Sequence, residues 1–457
     1  MQWNSQPVPS RRSEVMQRVQ HVPRRKWRRS IVTSLALLGL WRYWVTYDAS
    51  LHVPSGPEAW CIAHSIVASG RFANPFIPMK TGPSAHLAPL FPIFLGSIVK
   101  VFGQGGLAVW IYQWGAAVAV ILLVAALPVI AESLQMGFIN GIFAALVWLL
   151  AKPFTFANWE SSYAALLALT ATYLFRKQLE LAKIQNDRGN WLRPLLLGAI
   201  IGLLLLVSPA CSAVVAVWLL WLFARSGRKS FLRYNVLLIV VPAVMLLPWA
   251  VRNYLVFHSV IAFRDSFGIA LASSNNDCAA YSLRLNLKHG CYGKNPYDDV
   301  EAAREVAQMG EVRFNEARLR DAKQWIAHHP GRFLTLSMQR FAAFWFPNDY
   351  GVIKQIKTPG FRALTLIIYA TTLSSFFGLF LLAQRSKIDA TLCASWLILF
   401  PLVYYIVQSE DRYRYPILWL TFLLGCLPIS RAAEAILHEQ SVKNQDQITP
   451  AAAGFVA

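Results

Sequence analysis

The sequence predicts an all-α integral membrane protein, a multi-pass helical bundle of about ten spans with juxtamembrane helices and a small helical subdomain on its outer face. Three observations carry this. Hydrophobic residues make up 56% of the 457 and charged residues 14%, with a mean hydropathy of +0.41, whereas soluble domains carry about 25% charged residues. Apolar runs recur in series, among them 107–131, 194–207, 210–223, 236–251 and 363–383, and a bilayer core asks for about 20 residues per crossing. Two long, mostly polar segments, 48–107 and 252–361, interrupt them.

The chain begins with a basic arm, residues 1–30, that holds Arg11, Arg12, Arg24, Arg25, Lys26, Arg28 and Arg29 and runs directly into the apolar stretch 31–45. Much of the net charge of +20 sits there. Basic residues flanking a first span stay on the cytoplasmic side beside anionic lipid, so the charge points to a membrane surface and not to nucleic acid. The arm reads as an uncleaved signal anchor, because no small-residue cleavage site is clear.

With the arm inside, the short basic connections 176–193, 225–233 and 385–387 should also be cytoplasmic. The parity of crossings delivers all three inside only if 90–103 is a juxtamembrane or re-entrant helix. That stretch is short, contains Lys100 and is broken by Pro89 and Pro92. The expected spans are then 31–47, 107–131, 137–151, 161–175, 194–207, 210–224, 235–251, 362–384, 390–408 and 415–430. Five parts follow: the basic arm 1–30; an N-terminal membrane region 31–251 with a first outer loop 48–106; an outer helical subdomain 252–361; a C-terminal membrane region 362–430; and a tail 431–457. The tail from 440 reads as disordered. Both termini are expected in the cytoplasm and the protein in the plasma (inner) membrane.

The first outer loop contains a short helix at 59–68 stopped by Gly70, with Glu58 just before it. A carboxylate there is held by backbone N–H groups, which suits an ordinary cap and a site residue alike. Lys80, Thr81, Gly82 and His86 follow in a Pro- and Gly-rich turn, fitted to an anionic headgroup or to plain solvation. Glu160 opens a later span beside Trp159, where an acid can mark the water boundary or join Glu58 on the same face. Arg252 closes a span as an interface anchor or a phosphate ligand. In the second outer segment, 298–329 reads as helical with an apolar stripe of Val306, Met309, Phe314, Leu319 and Trp325, and His328–His329–Pro330 lacks the spacing of a metal site. Cys278 and Cys291 share this segment, on the side read as oxidising, and suit a disulfide; Cys61, Cys211, Cys393 and Cys426 read as packing residues. The last outer turn, Glu410, Asp411, Arg412, Tyr413, Arg414 and Tyr415, puts a charge density at the membrane surface that calls for pairing or an anionic ligand, and Arg suits phosphate.

These pieces in order resemble the GT-C superfamily of polyprenyl-phosphate-sugar-dependent glycosyltransferases, the relatives of dolichyl-phosphate-mannose protein mannosyltransferases and lipid A aminoarabinose transferases. The resemblance rests on the basic start, the acidic first loop, "TGPSAHLAPLFPIFLG" at 81–96, "WE" at 159–160, "LPWAVRNYLVF" at 247–257 and "RYRYP" at 412–416. It implies inverting transfer of a sugar from a polyprenyl-phosphate donor to a lipid, glycan or protein acceptor on the outer face. Glu58 and Glu160 would be catalytic, with Glu58 accepting or orienting the acceptor proton. Lys80, His86, Arg252, Arg412 and Arg414 would bind the donor phosphate. Where the family usually has Asp, often in an Asp-Glu pair, Gly56 and Pro57 precede Glu58, with Asp48 the only other acid nearby. No cofactor is implied beyond the donor substrate, and the residues leave a divalent metal open. Two rival readings are a lipid or sugar flippase, against which no acid or lysine sits clearly mid-span, and an inactive scaffold descended from such an enzyme.

Overall fold

In a computed structural model the described residues, 11–46, 57–151, 160–181, 191–347 and 359–452, are overwhelmingly helical, and among them the only strand-like pairings are two isolated bridges. The first is α1 (Arg11–Thr46), the expected anchor. Then α2 (Pro57–Ser69) starts with Pro at its first position, pre-set for helix, and stops at Gly70, whose φ of +68° a side chain would resist. Next, α3 (Leu90–Phe102) has 13 residues, or about 20 Å at 1.5 Å per residue, too short to cross a bilayer. It packs on α2 and on α4 (Gly106–Ser133).

Continuing along the chain are α5 (Phe138–Ala151), α6 (Glu160–Leu181), α7 (Leu192–Val207), α8 (Ser212–Tyr234) and α9 (Leu237–Phe257). The polar segment contributes α10 (Phe267–Ser274), α11 (Leu283–Lys288), α12 (Val300–Met309), α13 (Glu311–His328) and α14 (Pro330–Trp345). Pro330 closes α13 and opens α14. The chain ends in α15 (Pro359–Arg385), α16 (Lys387–Leu399), the short α17 (Leu402–Ile406) and α18 (Tyr415–Ala452). The tail expected to lack structure from 440 is therefore helical to Ala452.

Among the described residues, six helices are long and apolar enough to cross a membrane: Gly106–Ser133, Pro209–Tyr234, Leu237–Phe257, Thr365–Arg385, Lys387–Ile406 and Arg412–Ile436. They coincide with six of the ten expected spans. Phe138–Ala151 and Leu192–Val207 are apolar but only 14 and 16 residues long. The expected spans at 31–47 and 161–175 fall in α1 and α6, which are not among the six. The protein is a helical membrane protein, and among the described residues six of the ten expected spans meet the length and hydropathy of a crossing helix.

Four fully buried tryptophans, Trp148, Trp218, Trp396 and Trp419, anchor the membrane core. Each of three indole N–H groups has a partner: Trp218 donates to Ser395 Oγ at 2.8 Å, Trp396 to Thr172 Oγ1 at 2.8 Å and Trp419 to the Pro416 carbonyl at 3.0 Å. Those bonds join α6, α8 and α16. At one end of this core Arg176 pairs with buried Asp389, which also accepts from the Ser386 hydroxyl at 2.6 Å. The helices α15 and α18 approach backbone to backbone, since a Cβ on Gly378 would lie 1.9 Å from the Leu424 carbonyl oxygen.

The polar subdomain α10–α14 grips both polar connections of the bundle. Phe76 from the first loop enters its core with Ile269, Ala302, Val306 and Phe314. Within the expected stripe, Val306 and Phe314 are fully buried, whereas Met309 is exposed. Opposite, Ser282 bridges Ser409, and Arg340 donates to the Asn275 side chain and to the Ile406 and Ser274 carbonyls. The turn at 410–414 is thus fixed to the subdomain as well as to the bundle.

Candidate active site

Glu58 lies in the first turn of α2 and Glu160 in the first turn of α6, each where the helix N-terminus favours negative charge. The turn after α17 is a short 3₁₀ helix, Asp411–Arg414, that presents Arg412 beside Glu410 at 2.7 Å, its guanidinium over the Tyr413 ring. These groups converge. Burial raises the Glu58 carboxyl above its ordinary value; the positive charge of Arg412 opposes the rise, while Glu160 and Glu410 reinforce it. Three separate stretches of sequence therefore meet at one carboxyl group, and Glu410, which the sequence reading left without a role, is one of the charges that act on it.

His86 is buried below this group. Its Nε2 contacts the Tyr297 hydroxyl, its ring packs edge-on against Phe76 and Tyr297, and its Nδ1 has no partner among the described residues. Burial and the nearby charge of Arg264 hold the imidazole down at about 3, so it is neutral. Lys80 is exposed at the tip of the small hairpin-like loop closed by the Ala73–Pro83 bridge.

Arg252 and Arg414 fasten loops. Arg252 donates to the Ser84 carbonyl at 2.7 Å, the Phe72 carbonyl at 2.8 Å and Asn253 Oδ1 at 2.9 Å, with its face over Trp249. Glu311 of α13 accepts from the Ala85 N–H at 2.6 Å. The peptide group between Ser84 and Ala85 thus has a cation at its oxygen and a carboxyl at its nitrogen, which fixes the backbone one residue before His86. Arg414 is buried and donates to the Trp345 carbonyl and to Thr372 Oγ1, both at 2.7 Å, tying the 411–414 turn to α14 and α15.

Several residues here carry no local sequence signal. Arg264 is exposed, enters no salt bridge among the described residues, and its charge reaches His86, Tyr297, Tyr404 and Tyr413. The charge of Glu58 reaches Tyr292 and Tyr297 in turn. Cys278 and Cys291 form the disulfide the sequence suits, just before Tyr292. Among the described residues no three His, Cys, Asp or Glu side chains are placed to hold a metal ion; His329 instead stacks on Trp325. Asp48 and Trp159 lie outside the described residues. Between α2, α3, α7 and α9 lies an open groove of about 480 Å³ lined by Ile66, Phe72, Leu90, Ile93, Met245 and Arg252.

No family model matches the chain, and no curated protein does. Solved structures do. The archaeal oligosaccharyltransferase AglB from Archaeoglobus fulgidus, in complex with an inhibitory peptide and a dolichol-phosphate, superposes with a TM-score of 0.53 at 15% identity, over 92% of this chain and 52% of that one. The same organism's enzyme in its apo form gives 0.54 at 13%, with 92% and 52% covered. A form tethered to an acceptor peptide containing the NVT sequon gives 0.54 at 15%, with 92% and 51% covered. Over nearly its whole length the chain shares the fold of the part of these oligosaccharyltransferase structures that it covers. It spans about half the length of the solved structures it matches. The Glu58 group lies where the first loop, the start of α6 and the 411–414 turn meet.

Proposed function

We propose that this chain is an integral membrane glycosyltransferase that moves a sugar from a polyprenyl-phosphate donor to an acceptor on the outer face of the membrane. The observation that carries the reading is the convergence of Glu58, Glu160, Glu410 and Arg412, brought together from three separate connections inside a fold shared with an oligosaccharyltransferase. The raised carboxyl of Glu58 suits a general base, since a base works best when its pKa approaches the operating pH. It would take the proton of the acceptor nucleophile as that oxygen or nitrogen attacks the anomeric carbon. The bond from that carbon to the donor phosphate oxygen then breaks, and the phosphate leaves with the electron pair.

Arg412 and Arg264 are the cations placed to meet the negative charge that grows on that phosphate. Lys80 would meet the headgroup from the loop tip, and neutral His86 would act through its bond with Tyr297. Arg252 and Arg414 serve the site by holding the first loop and the 411–414 turn in place. The apolar groove beside Arg252 would take part of a prenyl chain, its lining being mostly aliphatic and aromatic. Glu160 shares the acceptor side with Glu58. The neighbouring structures hold a dolichol-phosphate and a peptide; the acceptor of this chain is a lipid, glycan or protein. The same reading puts the protein in the plasma (inner) membrane with both termini cytoplasmic, as the basic N-terminal arm and basic short connections favour. Reconstituted protein given a panel of polyprenyl-phosphate sugars and membrane acceptors should release the prenyl phosphate, and Glu58→Gln should abolish the release.

A further inference from the structure

The Cys278–Cys291 disulfide and the residues after it build a structure that the transfer chemistry above does not use. Tyr292 and Tyr297 lie with ring centroids 6.3 Å apart and planes 20° apart, so their faces are nearly parallel. Both rings are only half-buried, although both lie within reach of the Glu58 charge. Their hydroxyls are tethered, Tyr292 to Gln408 and Tyr297 to His86 Nε2, and Tyr297 is backed by Phe76 and His86, which holds the ring planes and leaves Tyr292 as the outer ring of the pair.

The backbone beneath them is fastened with unusual thoroughness. Cys291 is linked to Cys278, its N–H donates to the Asn286 carbonyl at 2.8 Å and its carbonyl accepts from Asn276. Gly293 turns the chain with φ +71°. Buried Asn295 accepts from the Tyr297 N–H at 3.1 Å and donates to Ser273 Oγ at 2.9 Å. A held pair of partly exposed aromatic rings within reach of carboxylates is the chemistry that recognises a sugar: ring C–H groups meet an electron-rich face, and the carboxylates accept from hydroxyls.

We infer that Tyr292 and Tyr297 form the platform that binds the sugar being transferred, and that the Cys278–Cys291 disulfide positions it. The inference rests on the glycosyltransferase reading and names the residues that select its sugar. Cys278 and Cys291 are positioning residues: reduction frees the loop that carries Tyr292 without touching Glu58 or Arg412. A reducing agent should therefore lower the affinity for the sugar and leave the affinity for the prenyl phosphate unchanged.

The test compares binding of undecaprenyl phosphate with that of its glucosyl, mannosyl, galactosyl, arabinosyl and aminoarabinosyl forms, using the full chain in nanodiscs. Free methyl glycosides of the same sugars serve as competitors to separate a donor sugar from an acceptor glycan. The expected result is at least one glycosyl form bound about 10-fold or more tightly than the bare phosphate. Tyr292→Leu and dithiol reduction of the wild type should each bring that ratio below about 3-fold, and Tyr292→Phe should restore it. Reduction needs no refolding, so it stands even where Tyr292→Leu folds poorly. Displacement of the bare phosphate form by methyl glycosides would overturn the donor assignment. Equal binding of every form by the wild type, or a ratio that survives both Tyr292→Leu and reduction, would overturn the platform alone. A wild type that binds neither the phosphate nor any glycosyl form would overturn the platform together with the glycosyltransferase reading.

Discussion

Glu58 is a carboxyl whose neighbours pull in opposite directions. Burial and the charges of Glu160 and Glu410 favour its protonated form, and Arg412 favours the carboxylate. As a base it must be deprotonated, so the transfer rate should rise with pH through its raised pKa and level off above it; Glu58→Gln should lose the rate and the rise together. Removal of a general base costs about 100- to 10,000-fold. Arg412→Lys keeps a charge but loses the planar fork, and should weaken turnover more than Lys80→Ala, whose side chain is exposed at a loop tip. Comparison of kcat for the two variants checks this. A second titration belongs to Glu311, which burial pushes up to about 8 from an ordinary 4.5. The fold prefers this group protonated, so its contribution to stability is complete below about 4.5 and is lost as pH rises through 8. The melting temperature in detergent should fall between pH 5 and pH 9, and Glu311→Gln should flatten that fall; an unchanged slope would remove Glu311 from the account.

At the scale of elements, the close pair α15 and α18 sets how precisely the 411–414 turn is held, because that turn leads directly into α18. A Cβ at position 378 would lie 1.9 Å from the Leu424 carbonyl oxygen, so Gly378→Ala must push the helices apart, at a cost of about 1–3 kcal/mol. A measured loss of thermal stability with reduced turnover is the expected outcome; unchanged stability would show that the helices separate freely. The element scale also shows what local sequence can and cannot say. The helix at 59–68 and its stop at Gly70, the short helix at 90–102 and the crowded turn at 410–415 were legible because each has a local signature: a cap, a proline or a density of charge. Arg252 and Arg414 read as phosphate ligands because an arginine at a membrane surface carries no sign of which carbonyls it will bind. Tyr292, Tyr297 and Arg264 were not legible at all, since the charge of Glu58 reaches the two tyrosines, and that of Arg264 reaches His86, only across long stretches of sequence. The helix beyond 440 was missed because a polar, Gln-rich tail has no apolar face to announce it.

For the whole molecule, the central relation is between membrane and site. Six helices satisfy the length and hydropathy of a span, while 90–102 does not reach across. A cysteine placed at exposed Gly103 or Gln104 should react with an impermeant thiol reagent from the outer side; labelling from the cytoplasm alone would reverse the crossing parity and move the first loop's end. The fold was readable from hydropathy and a few ordered motifs even though identity to the solved structures is 13–15%, because spans are fixed by the bilayer, whereas a site is fixed by a handful of side chains at one end. The most direct test of the site is transfer by the reconstituted protein supplied with polyprenyl-phosphate sugars and membrane acceptor, followed as prenyl phosphate released, with Glu58→Gln and Glu160→Gln compared to wild type. Release by the wild type and its loss in both variants, with their melting temperatures unchanged, is the predicted result; turnover that survives both substitutions would contradict the assignment of the site.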